Sequence, residues 1–103
     1  MSKKANQDIK QLRAIGHKLK PVVTIAGKGL TEGVISEVDR ALTDHELIKV
    51  KLAVGSREAR AEIAREVSAQ SGAQIVQSIG NVILLLRRSA TPDPRLSNLI
   101  KPL

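Results

Sequence analysis

The segment VVTIAGKGLT, residues 22–31, predicts a short buried strand that runs into a helix through a turn containing two glycines. Gly27 and Gly29 allow a tight turn and the close approach of a ligand, because neither residue has a Cβ atom. Thr31 is placed to cap the following helix, whose free N–H groups attract anions. Lys28 adds a positive charge between the glycines. This turn is the part of the chain best suited to contact a phosphate group.

The spacing of apolar residues predicts the element order αβαβαββ. Gly16 is expected to end the first helix, and Gly80-Asn81 to join the last two strands in a hairpin. Helices that alternate with strands, followed by an antiparallel pair, indicate an α/β fold with a four-stranded mixed sheet packed with helices. The predicted elements are a helix over 6–16, a strand over 22–25, a helix from 31 to 44, a strand over 47–52, a helix from 56 to 72, and strands over 74–79 and 82–87.

The domain organisation follows from length and composition. A chain of 103 residues fits one domain, which we place at residues 1–90, with residues 1–5 as a frayed basic end. Residues 91–103 contain three prolines and predict an extended tail, with Leu96, Leu99 and Ile100 as candidates to dock on the body.

Composition excludes several classes of protein. Phe, Tyr and Trp are absent, so the core must be aliphatic and bases cannot stack on Phe, Tyr or Trp rings as they do in many single-strand binders. Cysteine is also absent, which excludes disulfides and thiolate metal sites. The longest apolar run, residues 82–86, is too short to span a bilayer, and a charged amino terminus without an apolar stretch leaves the cytoplasm as the expected location.

Charge is unevenly distributed along the chain. The net charge is +7, and the first 28 residues hold seven basic residues against Asp8 alone. Such asymmetry points to a nucleic acid or an anionic surface as partner. Lys49 and Lys51 alternate with apolar residues and predict a strand with a basic outer face. The contacts expected outside the turn are Lys18, Lys20, Lys49, Lys51 and Arg87.

Three ordered motifs carry a resemblance to a known family. They are HKLKPVV at 17–23, GLTEGV at 29–34 and HELIKVK at 45–51, followed by IGNV at 79–82 and LRR at 86–88. Over roughly residues 7–90 the chain resembles the CRM domain, and more closely its stand-alone bacterial form, the YhbY family. The resemblance implies a fold similar to the C-terminal domain of translation initiation factor three, RNA binding, and association with precursors of the large ribosomal subunit.

The family's loop has a G-x-x-G pattern, similar in use to the loop of KH domains. The matching positions here are Ala26, Gly27, Lys28 and Gly29. Because Ala26 replaces the first glycine, we expect Gly27 to supply the left-handed or closely approaching backbone.

Catalysis is not expected. His17 and His45 are far apart, and Asp44-His45-Glu46 lacks a paired nucleophile or a second cluster of metal ligands. The Walker A and dinucleotide-binding patterns are both absent. We therefore expect no enzyme activity, cofactor, metal, small-molecule substrate or membrane partner.

The function that fits these observations best is binding of ribosomal RNA during assembly of the large subunit, through the glycine turn and a basic surface. A protein-interaction module that regulates translation through its apolar tail remains an alternative, and the charge also suits a DNA-binding architectural protein. The residues expected to contact RNA are Lys18, Lys20, Ala26, Gly27, Lys28, Gly29, Thr31, Lys49, Lys51 and Arg87.

Overall fold

Seven elements follow one another in the predicted order αβαβαββ. The computed structural model describes residues 8–100; Lys3 and Lys4 and the first residues of the helix expected over 6–16 lie outside this range, as do residues 101–103. The elements are α1 (Ile9–His17), β1 (Pro21–Ile25), α2 (Glu32–His45), β2 (Leu47–Leu52), α3 (Arg57–Ser71), β3 (Gln74–Ile79) and β4 (Val82–Leu86).

Helix boundaries follow from local capping signals. The Thr31 hydroxyl accepts a hydrogen bond from the Val34 N–H at 3.2 Å, and the Ser56 hydroxyl does the same for Ala59 at 3.0 Å. Each such cap contributes about 1 kcal/mol to stability. Gly72 ends α3 in the left-handed conformation, with φ +70°, as its position after the last apolar residue of the helix predicts.

The four strands form one mixed sheet in the order β1-β2-β4-β3. β1 runs parallel to β2, whereas β4 is antiparallel to both β2 and β3. The mixed four-stranded sheet expected from the sequence is thereby confirmed.

The main core lies between one face of the sheet and helices α2 and α3. Val38 and Leu42 of α2 and Val67 of α3 are fully buried there. Each fully buried Val, Leu or Ile side chain contributes about 1.5–3 kcal/mol through the apolar surface it removes from water. The strand residues of this cluster are Val23, Ile25, Ile48, Val50, Leu52, Ile83 and Leu85.

A smaller cluster covers part of the opposite sheet face. Leu12 of α1 packs there against buried strand residues, with Ile15, Leu19 and Leu99 at the margin. Gly16 lies inside α1 and does not end it, because the helix continues to His17. A Cβ atom on Gly16 would lie 2.6 Å from Leu84 Cδ2, so this glycine allows the helix to approach the sheet closely. The strand residues of this cluster are Leu47, Val76, Leu84 and Leu86.

The segment after β4 folds back onto the body in turns and is not extended, in contrast to the tail expected from the sequence. Its anchor is Glu46, whose buried carboxylate accepts hydrogen bonds from the Ser97 hydroxyl and the Ser89 N–H, both at 2.6 Å. The Asn98 side chain donates to the Leu47 carbonyl at 2.7 Å. Polar anchors of this kind have no periodic sequence signal. Of the three apolar tail residues expected to dock, Leu99 packs at the margin of the smaller cluster and Ile100 is half-buried, whereas Leu96 is exposed.

Candidate functional site

The glycine turn, residues 26–29, connects β1 to α2. The Gly29 N–H donates to the Ala26 carbonyl at 2.8 Å, and the φ angle of Gly29 is +72°. Of the two roles expected for Gly27, the left-handed conformation belongs to Gly29 instead. The close approach of a ligand at Gly27 stays a prediction. Turns whose two central residues have negative φ commonly place glycine at the fourth position. Ala26, at the first position, therefore fits this turn without backbone strain.

The main chain of the turn is not covered by other parts of residues 8–100. Within residues 8–100, no heavy atom beyond the adjacent residues lies within 4 Å of the positions where Cβ atoms would stand on Gly27 and Gly29. The Lys28 side chain is exposed. Thr31 caps α2 immediately beyond the turn. Glu32 follows in the first turn of that helix, so part of the positive end of the helix dipole is already compensated by a carboxylate. The attraction of the turn for an anion therefore depends mainly on Lys28 and the open backbone.

The turn lies at the same end of the sheet as two other loops. The Ala53 N–H donates to the Ile25 carbonyl at 2.7 Å, and the Leu52 N–H donates to the Asn81 carbonyl at 2.6 Å. These bonds place the β2–α3 loop and the β3–β4 turn beside the glycine turn. We refer to this end of the strands, with its three loops, as the loop end of the sheet.

Lys49 and Lys51 belong to the sheet face opposite α2 and α3, because they alternate along β2 with residues of the main core. Lys51 pairs with Thr24, two residues before the glycine turn, and Lys49 pairs with Pro21. The structure thereby brings both lysines onto a surface that continues to the loop end, a relation that the sequence alone did not define.

Lys18 and Lys20 lie in the exposed connector between α1 and β1. The Lys18 N–H closes α1 by donating to the Ile15 carbonyl at 3.1 Å. Lys20 and Lys49 line one surface depression together with Val22. The connector therefore extends the basic surface of β2 across the start of β1.

Arg87 is not brought to this surface. It follows β4 at the opposite end of the sheet, and its guanidinium donates to Asp39 Oδ1 (2.8 Å), Thr43 Oγ1 (2.9 Å) and the Ser71 carbonyl (2.8 Å). The structure thus gives Arg87 a role in joining α2 to the end of α3. An RNA contact by Arg87 stays a prediction.

The two histidines have separate environments. His45 Nδ1 lies 2.9 Å from the Leu96 carbonyl oxygen, to which it donates, and the adjacent Glu46 carboxylate binds the tail. His17 is exposed at the end of α1. Within residues 8–100 no three His, Cys, Asp or Glu residues are grouped in a way that could hold a metal ion. No helix in this range is long and apolar enough to cross a membrane.

Comparison with known proteins agrees with this architecture. Residues 5–87 match the model of the CRS1 / YhbY (CRM) domain. The Pseudomonas aeruginosa protein named "Probable RNA-binding protein PA4753" is 52% identical over 90 residues, which cover 87% of this chain and 86% of the relative. A Haemophilus influenzae protein named "RNA-binding protein" is 45% identical over 78 residues, covering 76% of this chain and 79% of the relative.

A solved structure has the same fold. The solution structure of the hypothetical protein SAV1595 from Staphylococcus aureus superimposes with a TM-score of 0.71 at 30% sequence identity. The match covers 81% of this chain and 86% of that one. The arrangement of sheet and helices described above is therefore shared with an independently determined structure.

Proposed function

Because the chain belongs to the CRS1 / YhbY (CRM) domain family, we propose that it binds RNA, and specifically ribosomal RNA in precursors of the large ribosomal subunit. The observation that carries the proposal is the continuity of the bare glycine turn with the basic face of β2, through the pairing of Thr24 with Lys51. The relatives named as RNA-binding proteins support the same chemistry. A cytoplasmic location is part of the proposal.

The mechanism is binding without bond chemistry. An RNA phosphate approaches the open backbone of Gly27 and Gly29, while Lys28 supplies a charge-assisted contact. Lys49 and Lys51 extend the contact along the sheet, and Lys18 and Lys20 extend it across the connector. Such contacts set the position of the RNA backbone and are independent of base sequence. Occupancy of a folding intermediate of the RNA would then assist assembly.

The first experiment compares Lys28→Glu with Lys10→Glu in RNA binding. Both residues are exposed and both changes alter the net charge equally, but Lys10 lies on α1, away from the glycine turn. We expect Lys28→Glu to weaken binding on the order of tenfold, the equivalent of one charge-assisted contact. The slope of log affinity against log salt concentration should fall by about one, because one phosphate contact is lost. Equal affinities of the two variants would remove the turn from the proposed surface.

The ribosomal part of the proposal requires a separate measurement. Cell lysate is sedimented through a sucrose gradient at low and moderate salt, and the protein is detected in each fraction. Co-migration with large-subunit precursors that is lost at moderate salt is expected, because phosphate contacts weaken steeply with salt. A protein that stays in the light fractions at both salt concentrations would contradict association with ribosome precursors. Its RNA partner would then be an RNA other than that of the ribosome precursors.

A further inference from the structure

Part of the sheet face opposite α2 and α3 is left uncovered by α1. Two rows of paired residues cross all four strands there, and we call these eight residues the open sheet face. Leu84 is the one buried member, at the border with α1. One row is Pro21, Lys49, Leu84 and Gln77, and the other is Thr24, Lys51, Val82 and Ile79. Adjacent strands are about 4.8 Å apart, so each row forms a strip about 14 Å long. The second row borders the loop end of the sheet.

A cavity of about 250 Å³ is built on this face. It is smaller than the roughly 300–1,000 Å³ of pockets for drug-sized ligands, which suits it to one planar ring system. His17, at the end of α1, forms one side of the cavity. The remaining lining residues are Pro21, Lys49, Gln77, Ile79, Val82 and Leu84.

The lining combines an apolar floor with one free amide. Leu84 and Val82 form part of the floor, and Ile79 is 64% exposed, which is unusual for a large apolar side chain on a strand. Within residues 8–100 the side-chain amide of Gln77 has no hydrogen-bond partner. A bulge between Ile75 and Gln77 places Gln77 opposite Leu84, on the cavity side of the sheet.

The charged side chains on the strands that form this cavity are all positive. Lys49 lines it, and Lys51 pairs with Val82 at its margin. None of the four strands contains an Asp or Glu residue. An apolar cavity with one free amide and two flanking cations is complementary to a nucleotide, which has an apolar ring face, a polar ring edge and an anionic phosphate.

We propose that this cavity binds one unpaired nucleobase of single-stranded RNA, with Gln77 reading the edge of the base. The inference rests on the proposed RNA-binding function and adds to it a site for the base beside the phosphate contacts. The His17 ring supplies a surface for stacking, which imidazole rings provide in RNA recognition. Adenine is the expected base, because a side-chain amide forms paired hydrogen bonds with it.

An RNA duplex cannot fill the cavity. Bases in an A-form helix are stacked and paired, and the adenine edge that pairs with a side-chain amide lies in a deep major groove that side chains cannot read. Unpaired bases in loops and bulges can instead be turned outward. The protein would therefore prefer structured RNA in which a single-stranded segment passes next to the glycine turn.

The test compares Gln77→Leu with Gln74→Leu in filter binding to oligoadenylate, oligouridylate, oligocytidylate and an RNA duplex. Gln74 is exposed on the same strand but does not line the cavity, so it controls for removal of an amide from β3. We expect the unmodified protein and Gln74→Leu to bind oligoadenylate between about 5-fold and 100-fold more tightly than oligouridylate, the discrimination typical of one paired contact. Gln77→Leu should lose this preference.

Two further measurements test the base site independently of the proposed RNA-binding function. Lys28→Glu should weaken binding to all the RNAs by a similar factor, and the side-chain amide resonances of Gln77 should shift when oligoadenylate is added. Intact RNA binding with an unchanged base preference in Gln77→Leu, or tighter binding of the duplex, would overturn the base site alone. Absence of binding to every RNA would overturn the proposed function as well.

Discussion

Replacement of Arg87 by Met tests whether this residue stabilises the fold or binds RNA. The guanidinium contacts the Asp39 side chain at 2.8 Å, the Asp39 carbonyl at 3.0 Å, Thr43 Oγ1 at 2.9 Å and the Ser71 carbonyl at 2.8 Å. The side chain of Arg87 is only 26% exposed. Met preserves the apolar stem but removes all of these donors, so Arg87→Met isolates the contribution of the charged group.

The expected loss of unfolding free energy is about 2–4 kcal/mol. The ion pair with the Asp39 carboxylate contributes about 0–1 kcal/mol, because Asp39 is 62% exposed. The remaining bonds to Thr43 and to the two carbonyl groups contribute the rest, at about 1 kcal/mol each or slightly more. Small domains have total stabilities of about 5–15 kcal/mol, so this loss would be readily measured.

Urea unfolding followed by far-ultraviolet circular dichroism provides the measurement. With a urea dependence of about 2 kcal/mol/M, the middle of the usual range, the midpoint should fall by roughly 1–2 M. Arg40→Met is the matched control, because Arg40 is exposed on the same helix as Asp39 and its loss should change stability by less than about 0.5 kcal/mol. RNA affinity of folded Arg87→Met should stay within about twofold of the unmodified protein.

Two outcomes would refute this reasoning. Equal midpoints for Arg87→Met and Arg40→Met would show that the network contributes no net stability. A folded Arg87→Met protein that loses RNA affinity as strongly as Lys28→Glu would establish Arg87 as an RNA contact, as the sequence analysis predicted.

Substitutions at two further positions test features that link distant parts of the chain. Gly16→Ala should lower the melting temperature, because overpacking against Leu84 costs about 1–3 kcal/mol. This cost exceeds the helix-propensity gain of at most about 1 kcal/mol. A higher melting temperature would show that the Leu84 side chain moves aside at little cost. Glu46→Ala should lose about 2–4 kcal/mol in urea unfolding, because the buried Ser97 hydroxyl loses its acceptor. Glu46→Gly should lose about 1 kcal/mol less than Glu46→Ala, because φ at this position is +62°, and equal losses would contradict strain there.

The elements predictable from sequence are those with local causes. Thr31, Ser56 and Gly72 terminate helices through their own side chains or conformational freedom, so their positions follow from a few neighbouring residues. The alternation around Lys49 and Lys51 likewise predicts β2 directly, because every second residue of a half-buried strand faces the core.

The features that escaped prediction depend on contacts between distant residues. Gly16 resembles a helix terminator in sequence, but its absent side chain is required by Leu84 on a strand far along the chain. Glu46 adopts a positive φ and buries its carboxylate because the tail returns to bind it. Neither arrangement can be predicted from the residues adjacent in sequence.

Part of the candidate site was predictable and part was not. The glycine turn and its lysine were recognised from composition and order alone, whereas the residue that takes the left-handed conformation depends on the turn type. Gln77 was missed because regular alternation would place it on the same sheet face as Ile75. The bulge between them turns it to the opposite face, and no single-sequence signal marks that bulge.

The aliphatic core has a practical consequence for studying complexes of this protein. Without Phe, Tyr or Trp, the chain has no intrinsic fluorescence and almost no near-ultraviolet absorbance. Hypochromism, near-ultraviolet dichroism or 2-aminopurine emission in a mixture with RNA therefore reports on the stacking of the bases alone. A single tryptophan introduced at Val82 would be the only strong near-ultraviolet chromophore of the chain and would line the cavity, where quenching by an entering base could be observed without emission from other residues.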